Sequence, residues 1–175
     1  DFLWAARELP GVRAVFSAIW GTVDLLTSFD GANVFRPYPW PLPEMPSSQG
    51  RCFDNARTVG GWWHVDQGPA KAGKRHAVQG LLSLYDSDET VGGLCVVPGS
   101  HLWHADLMKG VPESCRDFVT VPPFFHKYRT MPRRLVCCQA GDLVLWDSRT
   151  FHFNTPAPRP VPNTSGGDSL ELLRA

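Results

Sequence analysis

Two histidines and one aspartate have the residue types and the spacing of a metal site. His64 and Asp66 are one residue apart, and residues two apart on a strand point to the same face. His152 follows the hydrophobic segment 142–146, which a Gly-Asp turn introduces. Two imidazoles and one carboxylate on one face of an octahedron leave three positions open, which is typical of iron(II) oxygenases. A histidine that is merely hydrogen-bonded to a nearby carboxylate is the alternative, because His-x-Asp alone is a weak signal.

The charge of such a triad indicates the chemistry that it would support. With Asp66 as the single carboxylate, bound iron(II) keeps a residual positive charge, which attracts an anionic, chelating co-substrate. The open positions then hold the co-substrate and dioxygen together. This charge and these open positions therefore favour oxygenation.

The other histidines fit a metal site less well. His76 follows the basic segment 71–75, where we expect it to be solvated. His101 follows a Pro-Gly-Ser turn, and we expect it to stabilise that turn by a hydrogen bond. His104 and His126 lie in a long insert, where they are candidates for lid or substrate contacts.

The elements that must position these residues are mostly strands. The first thirty residues have helical spacing, interrupted at Pro10-Gly11. Thereafter proline and glycine increase, and short strands separated by turns predict a sandwich, a barrel or a jelly roll. Residues 102–132 form an insert with little pattern, and connections of that length are usually functional, often a lid. The predicted strands are residues 58–66, 77–86, 93–97, 134–138 and 142–146.

Composition bounds the class of protein and its partners. The 175 residues suffice for one domain, and 43% of them are hydrophobic and 19% charged, as in a globular protein. Lysine plus arginine and aspartate plus glutamate number 17 each, so no net charge favours a nucleic acid or an anionic membrane. No apolar run is long enough to span a membrane. We expect a small-molecule substrate.

The five cysteines and the first residue bear on where the protein resides. The cysteine spacings do not resemble a zinc knuckle, and Cys137 and Cys138 are adjacent, so we expect free thiols in a reducing compartment. The location stays open, with an intracellular one favoured. The chain begins at Asp1 without a methionine, in what reads as a helix, and we expect a fragment of a longer protein, truncated at both ends.

Three segments carry a family resemblance. They are residues 64–67 (HVDQ), residues 92–101 (GGLCVVPGSH) and residues 141–152 (GDLVLWDSRTFH). In this order they resemble the phytanoyl-CoA dioxygenase family, and the combination is far rarer than any one motif. The resemblance implies a mainly β fold, the double-stranded β-helix (a cupin-like jelly roll), with N-terminal helices packed on its outside. It also implies iron(II), 2-oxoglutarate and dioxygen, with release of succinate and carbon dioxide.

The co-substrate requires further residues. The distal carboxylate of 2-oxoglutarate is buried when bound and needs a cation, for which the planar fork of arginine is suited. The resemblance implies an arginine after the third metal ligand, on the next core strand. Arg159 lies among four prolines, where a core strand is disfavoured, so we favour Arg174, which ends the segment 170–174. The resemblance places Gln79 along the pocket floor, where its amide would hydrogen-bond the co-substrate, and an ordinary glutamine at a sheet edge is the alternative.

Other residues have two readings each. Trp62 walls the site or fills the core, and Arg149 pairs with Asp147 to orient the segment before His152 or forms an ordinary surface ion pair.

Asp66 argues for hydroxylation over halogenation, because a related halogenase needs an open position where this carboxylate stands. The leading hypothesis is a dioxygenase that hydroxylates a small organic or lipid-like substrate. Its alternatives are a non-catalytic ligand-binding module of the same fold and a zinc-dependent hydrolase.

Overall fold

Two short helices occupy the first of two compact units, residues 1–34 and 35–175, in the computed structural model. The helices are α1 (Phe2–Arg7) and α2 (Pro10–Trp20). Pro10 begins α2, because the N–H that proline lacks would have no helical partner in the first turn. The break between the two helices therefore lies just before Pro10. Gly21 ends α2 in the left-handed conformation and donates its N–H to Ser17 O. The structure describes residues 2–28, 30–35, 60–125 and 130–157.

The second unit is mainly β, as predicted, and its strand pairs are antiparallel. One sheet has five strands in the order β4-β1-β7-β3-β5, and β2 pairs with β6 in a second sheet. The strands are β1 (His64–Val65), β2 (Val78–Leu82), β3 (Gly92–Val96), β4 (Val119–Thr120), β5 (Arg134–Leu135), β6 (Leu143–Asp147) and β7 (His152–Pro156). Short 3-10 helices lie at Pro69–Lys71 and Ser100–Trp103, and the helix α3 covers His104–Met108.

Three of the strands are shorter than their sequences predict. Within the described part of the segment 58–66 only His64–Val65 is a strand, and Gly61 before it has a left-handed φ of 81°. The segment 77–86 stops pairing after Ser83, whose hydroxyl donates to Tyr85 O and closes a local turn. The segment 134–138 keeps two strand residues and one isolated bridge at Cys138. Local turns therefore end these strands earlier than their hydrophobic patterns indicate.

The core lies beside the five-stranded sheet and includes residues of the insert. Leu107 and Met108 of α3 and Val119 of β4 are buried with residues of β1 and β3. The insert also touches the segment after β1, because a Cβ on Gly68 would lie 1.6 Å from Arg116 O. Only glycine allows this close approach. The insert therefore contains regular structure that its sequence did not indicate.

Among the described residues, none of the helices is long and apolar enough to cross a membrane.

Candidate metal centre

Pairing of β1 with β7 brings the two histidines together. His64 and His152 are directly opposite each other in the register, and opposed residues of an antiparallel pair project to the same face. Their ring centroids are 4.2 Å apart. Asp66 follows β1 by one residue, and its backbone N–H donates to Ser148 O, which holds it beside the start of β7. The predicted triad is therefore assembled by the sheet.

The donor atoms of the triad have the separations that a metal ion requires. His152 Nε2 lies 3.2 Å from Asp66 Oδ2, and His64 Nε2 lies 3.5 Å from Asp66 Oδ1. Ligands at about 2.1 Å from one ion and at right angles to each other are about 3 Å apart. Among the described residues this is the group of histidine, cysteine and acidic side chains whose donor atoms, within 4.8 Å of one another, are able to hold a metal. The three side chains therefore fit a metal ion that binds its ligands at these distances and angles.

Backbone carbonyls select the nitrogen that each histidine presents. Nδ1 of His64 lies 3.2 Å from Trp62 O, and Nδ1 of His152 lies 2.8 Å from Thr150 O. A carbonyl only accepts hydrogen bonds, so each Nδ1 carries a proton, and Nε2 is the nitrogen that each ring would offer to a metal. Both Nε2 atoms face Asp66. Such partners fix the ring and the tautomer of metal-binding histidines.

Asp66 is held in its ionised form. Burial alone raises the pKa of its carboxyl group, but hydrogen bonds from His152, His64 and Gln79 outweigh burial and hold the pKa far below its ordinary value. The triad thus contains one ionised carboxylate between two imidazole rings. This is the charge that a divalent cation complements while keeping a net positive charge of its own.

The second sheet contributes two polar side chains beside the triad. Gln79 of β2 donates from Nε2 to Asp66 Oδ2 at 2.6 Å. Opposite Gln79 in the register stands Trp146 of β6, whose ring packs edge-to-face on His152 at 5.4 Å between centroids. Gln79 Oε1 and Trp146 Nε1 are both buried, and neither has a hydrogen-bond partner in the part of the chain that the structure describes. The sequence indicated a site role for Gln79 but not for Trp146, because a tryptophan within a hydrophobic strand has no feature that distinguishes it from a core residue.

Aromatic rings cover His64. Trp62 stacks on it with centroids 4.7 Å apart and planes 9° apart, and Phe118 stacks on it at 4.6 Å. The two rings are 38% and 53% exposed. Trp62 therefore borders the site and does not fill the core. Phe118 belongs to the insert, and no local pattern in the sequence connects it with a histidine 54 positions earlier.

A buried glutamine anchors the segment that follows Asp66. Gln67 Nε2 donates to Lys71 O at 2.7 Å and to Lys74 O at 2.6 Å. Its Oε1 accepts from Ser148 Oγ at 2.9 Å. Because Ser148 O also accepts from Asp66 N–H, residues 66 and 67 are tied to the segment before His152 by two hydrogen bonds. Gln67 therefore links the two ligand-bearing segments.

His104 belongs to this buried network and not to the metal group. Its Nδ1 accepts from Gly73 N–H at 3.2 Å, so Nε2 carries the proton and donates to Gln67 O at 2.8 Å. Burial lowers the pKa of the imidazole, which favours this neutral form. His104 is fully buried and both of its ring nitrogens are hydrogen-bonded, so its contacts are those of a structural residue and not of a lid. It holds the segment after Asp66 in place.

Arg149 forms the predicted pair with Asp147. Its Nε and Nη2 donate to the two carboxylate oxygens at 2.8 and 2.7 Å, and Nη1 donates to Gly73 O at 2.5 Å. Burial raises the pKa of Asp147, but the hydrogen bonds from Arg149 outweigh it and the pKa is lowered. The pair is largely buried and connects the end of β6 with the segment after Asp66. The prediction that Arg149 pairs with Asp147 is confirmed.

The segment 92–101, which lies between Asp66 and His152 in the sequence, also contacts the backbone next to His152. Ser100 is fully buried and accepts the backbone N–H of Phe151 at 2.8 Å through its hydroxyl. Val97 N–H donates to Phe151 O. The backbone next to His152 is thus fixed by the Pro-Gly-Ser turn after β3. His101 is half-buried in the 3-10 helix of this turn, and exposed His76 contacts Lys71 Nζ.

The remaining predicted residues, Arg159, Arg174 and His126, lie outside the described residues.

Comparison with known proteins gives one family and one curated relative. Residues 44–156 match the sequence profile described as "Phytanoyl-CoA dioxygenase (PhyH)". The chain is 30% identical over 164 residues to "Ava biosynthesis cluster protein O" of Aspergillus versicolor. The match covers 86% of this chain and 47% of the relative, so the chain spans about half the length of the relative. No solved structure matches significantly.

Proposed function

Because the chain belongs to the phytanoyl-CoA dioxygenase family, we propose that it is an iron(II)- and 2-oxoglutarate-dependent dioxygenase that hydroxylates a small organic or lipid-like substrate. The observation that carries this proposal is the triad of His64, Asp66 and His152, whose three donor atoms face one another at metal-binding separations. The double-stranded β-helix is the fold that accompanies the proposal, and the two antiparallel sheets are consistent with it.

The three side chains would bind the iron on one side. Bound iron(II) would supply the activation of dioxygen, coupled to conversion of 2-oxoglutarate to succinate and carbon dioxide. Asp66 compensates one positive charge, and the charge that remains favours an anionic chelating ligand. The backbone carbonyls at Trp62 and Thr150 keep the protons on the Nδ1 atoms, so that both Nε2 lone pairs stay directed to the ion. Because Asp66 fills the carboxylate position, hydroxylation is favoured over halogenation.

An arginine completes the co-substrate site in this proposal. Arg174 is the preferred partner of the distal carboxylate of 2-oxoglutarate, and Arg159 is the alternative. The two are separated by comparing Arg174→Lys with Arg159→Lys. The variant of the true partner should raise the KM for 2-oxoglutarate at least about ten-fold, because a bidentate charged pair becomes a single contact.

Gln79 has a restricted part in co-substrate binding. Its predicted contact with 2-oxoglutarate stays a prediction, since its Nε2 already donates to Asp66 and only Oε1 is left. An amide oxygen accepts hydrogen bonds and repels a carboxylate. We therefore propose that Gln79 serves the site through Asp66, by holding the carboxylate in its ligating orientation.

The substrate is proposed as a small organic molecule on two grounds. The exposed faces of Trp62 and Phe118 border the triad and suit an apolar substrate. The name of the similar protein from Aspergillus versicolor places that protein in a biosynthesis cluster. A small biosynthetic intermediate agrees with both.

A binding and turnover experiment tests the function. Iron(II) and 2-oxoglutarate are added to the protein without oxygen, and the weak visible charge-transfer band of the chelate is expected. Oxygen should then produce succinate. Absence of the band and of succinate, in well-folded protein that still binds iron, would contradict the oxygenase. Hydrolysis with zinc, or ligand binding without turnover, would then favour the zinc hydrolase or the binding module.

A further inference from the structure

The indole nitrogen of Trp146 is a buried donor without a partner. Nε1 is inaccessible to solvent and makes no hydrogen bond with the described residues. A buried N–H that is left unpaired has lost its hydrogen bond to water without gaining another, so proteins rarely keep one without a ligand or water to receive it. This donor therefore calls for an acceptor that is not part of the described chain.

The position of Trp146 places the acceptor next to the metal. Its ring lies edge-to-face on His152, and its cross-strand neighbour Gln79 holds Asp66. The indole thus stands beside two of the three ligands. Trp62 and Phe118, which cover His64, are partly exposed, whereas Trp146 Nε1 and Gln79 Oε1 are buried. The triad consequently has a buried polar side and an exposed aromatic side.

The chemistry of the donor selects the ligand. We infer that Trp146 Nε1–H donates a hydrogen bond to an anionic oxygen of 2-oxoglutarate on the buried side of the triad, which makes Trp146 a co-substrate-binding residue. The inference rests on the proposed function. All five oxygens of the 2-oxoglutarate dianion accept hydrogen bonds, and a donor to a charged acceptor in a buried site forms a strong one. Gln79 Oε1 requires a donor instead, such as a water molecule bound to the metal.

Two measurements test the assignment. The first compares Trp146→Phe, which keeps the ring on His152 and removes the N–H, with Trp103→Phe, which removes an indole N–H from a tryptophan packed against the hydrophobic core. Dissociation constants of iron(II), and of 2-oxoglutarate in the presence of iron(II), are measured without oxygen. Trp146→Phe should weaken 2-oxoglutarate about ten-fold or more and leave iron affinity within about two-fold, as expected for one lost hydrogen bond to a charged group. Trp103→Phe should leave 2-oxoglutarate affinity within about two-fold.

The second measurement is made on the wild-type protein, and a variant serves only to identify one resonance. The protein is labelled with 15N on the indole nitrogens and loaded with diamagnetic zinc, and the Trp146 resonance is identified by its loss in Trp146→Phe or, if that variant does not fold, in Trp146→Tyr. Addition of 2-oxoglutarate should move the Nε1–H proton downfield. Addition of succinate, which lacks the chelating keto acid, should move it much less.

The outcomes separate this inference from the proposed function. If wild-type protein binds 2-oxoglutarate and forms succinate, but the Trp146 resonance does not move and Trp146→Phe binds 2-oxoglutarate normally, the inference is overturned and the oxygenase stands. That result would assign the indole donor to water or to the organic substrate. If wild-type protein neither binds 2-oxoglutarate nor forms succinate, the proposed function and the inference both fail.

Discussion

The strand that carries His152 and the segment that carries Asp66 are positioned in different ways. His152 opens β7, a five-residue strand that pairs with β3 along its whole length and with β1 at His152 itself. Asp66 lies just beyond the two-residue strand β1 and belongs to no strand. Its position depends on its own backbone hydrogen bond and on side chains from elsewhere in the chain.

This difference determines how each ligand responds to mutation. Backbone pairing is distributed over many residues, so one side-chain substitution in β7 leaves most of the pairing intact. The segment after β1 instead depends on a few side-chain hydrogen bonds made by Gln67, His104 and Arg149. We therefore expect metal binding to be more sensitive to changes around Asp66 than to changes along β7.

The largest effect is expected at the ligand itself. Asp66→Ala removes the single carboxylate and should abolish succinate formation, with activity reduced at least about 1,000-fold, since the remaining histidines neither compensate the charge nor complete the site. The fold should survive, because Asp66 contributes no strand pairing. Asp88→Asn, at an exposed turn, is the control and should keep wild-type turnover. The rate of succinate formation is measured for both variants at saturating iron. Turnover by Asp66→Ala at the wild-type rate would show that Asp66 is not a metal ligand.

The next effect tests the network behind Asp66. Gln67→Leu removes three hydrogen bonds and leaves the carbonyl of Lys74 and the hydroxyl of Ser148 unsatisfied, so it should destabilise the protein by about 3 kcal/mol. Gln139→Leu, at an exposed position, should change stability by less than about 0.5 kcal/mol. Urea denaturation measures both, and iron titration should show weakened binding in Gln67→Leu alone. Equal stabilities of the two variants would contradict the anchoring role of Gln67.

Sequence patterns indicated the triad because two of its members begin strands and Asp66 directly follows one of these strands. His64 and Asp66 were placed on one face by their spacing, and His152 was placed by the Gly-Asp strand before it. The antiparallel sheets were likewise predictable from short strands and turns. Strand ends were less predictable, because turns such as that at Ser83 depend on single side-chain hydrogen bonds.

The surroundings of the triad could not be predicted in the same way. Gln67 and Ser148 are 81 residues apart, and His104 reaches Gly73 across 31 residues. No local pattern encodes such contacts, which only the folded chain creates. Trp146 illustrates a second limit. Its hydrophobic character predicted a strand correctly, but whether an indole N–H finds a partner depends on the three-dimensional surroundings.

A smaller effect on iron affinity is expected from a substitution next to His152. Ser100→Ala leaves the buried N–H of Phe151 without its acceptor and should cost about 1–2 kcal/mol. Because pairing of β7 with β1 and β3 persists, iron affinity should fall less than in Gln67→Leu. The exposed Ser114→Ala serves as the control for the loss of a hydroxyl group. Thermal unfolding and iron titration provide the readouts, and a greater loss of iron affinity in Ser100→Ala than in Gln67→Leu would reverse the comparison.

The smallest effect is a dependence of stability on pH that arises from His104. Burial holds the pKa of its imidazole below the ordinary value of 6.5, while Arg149 lowers and Asp147 raises it. The unfolded chain therefore binds more protons than the folded one once the pH falls below about 6.5, and stability declines by at most about 1.4 kcal/mol per pH unit. His104→Gln keeps a donor and an acceptor but does not titrate. Its stability deficit relative to wild type, measured by urea denaturation, should shrink between pH 7 and pH 5, and a constant deficit would show that His104 is not held neutral.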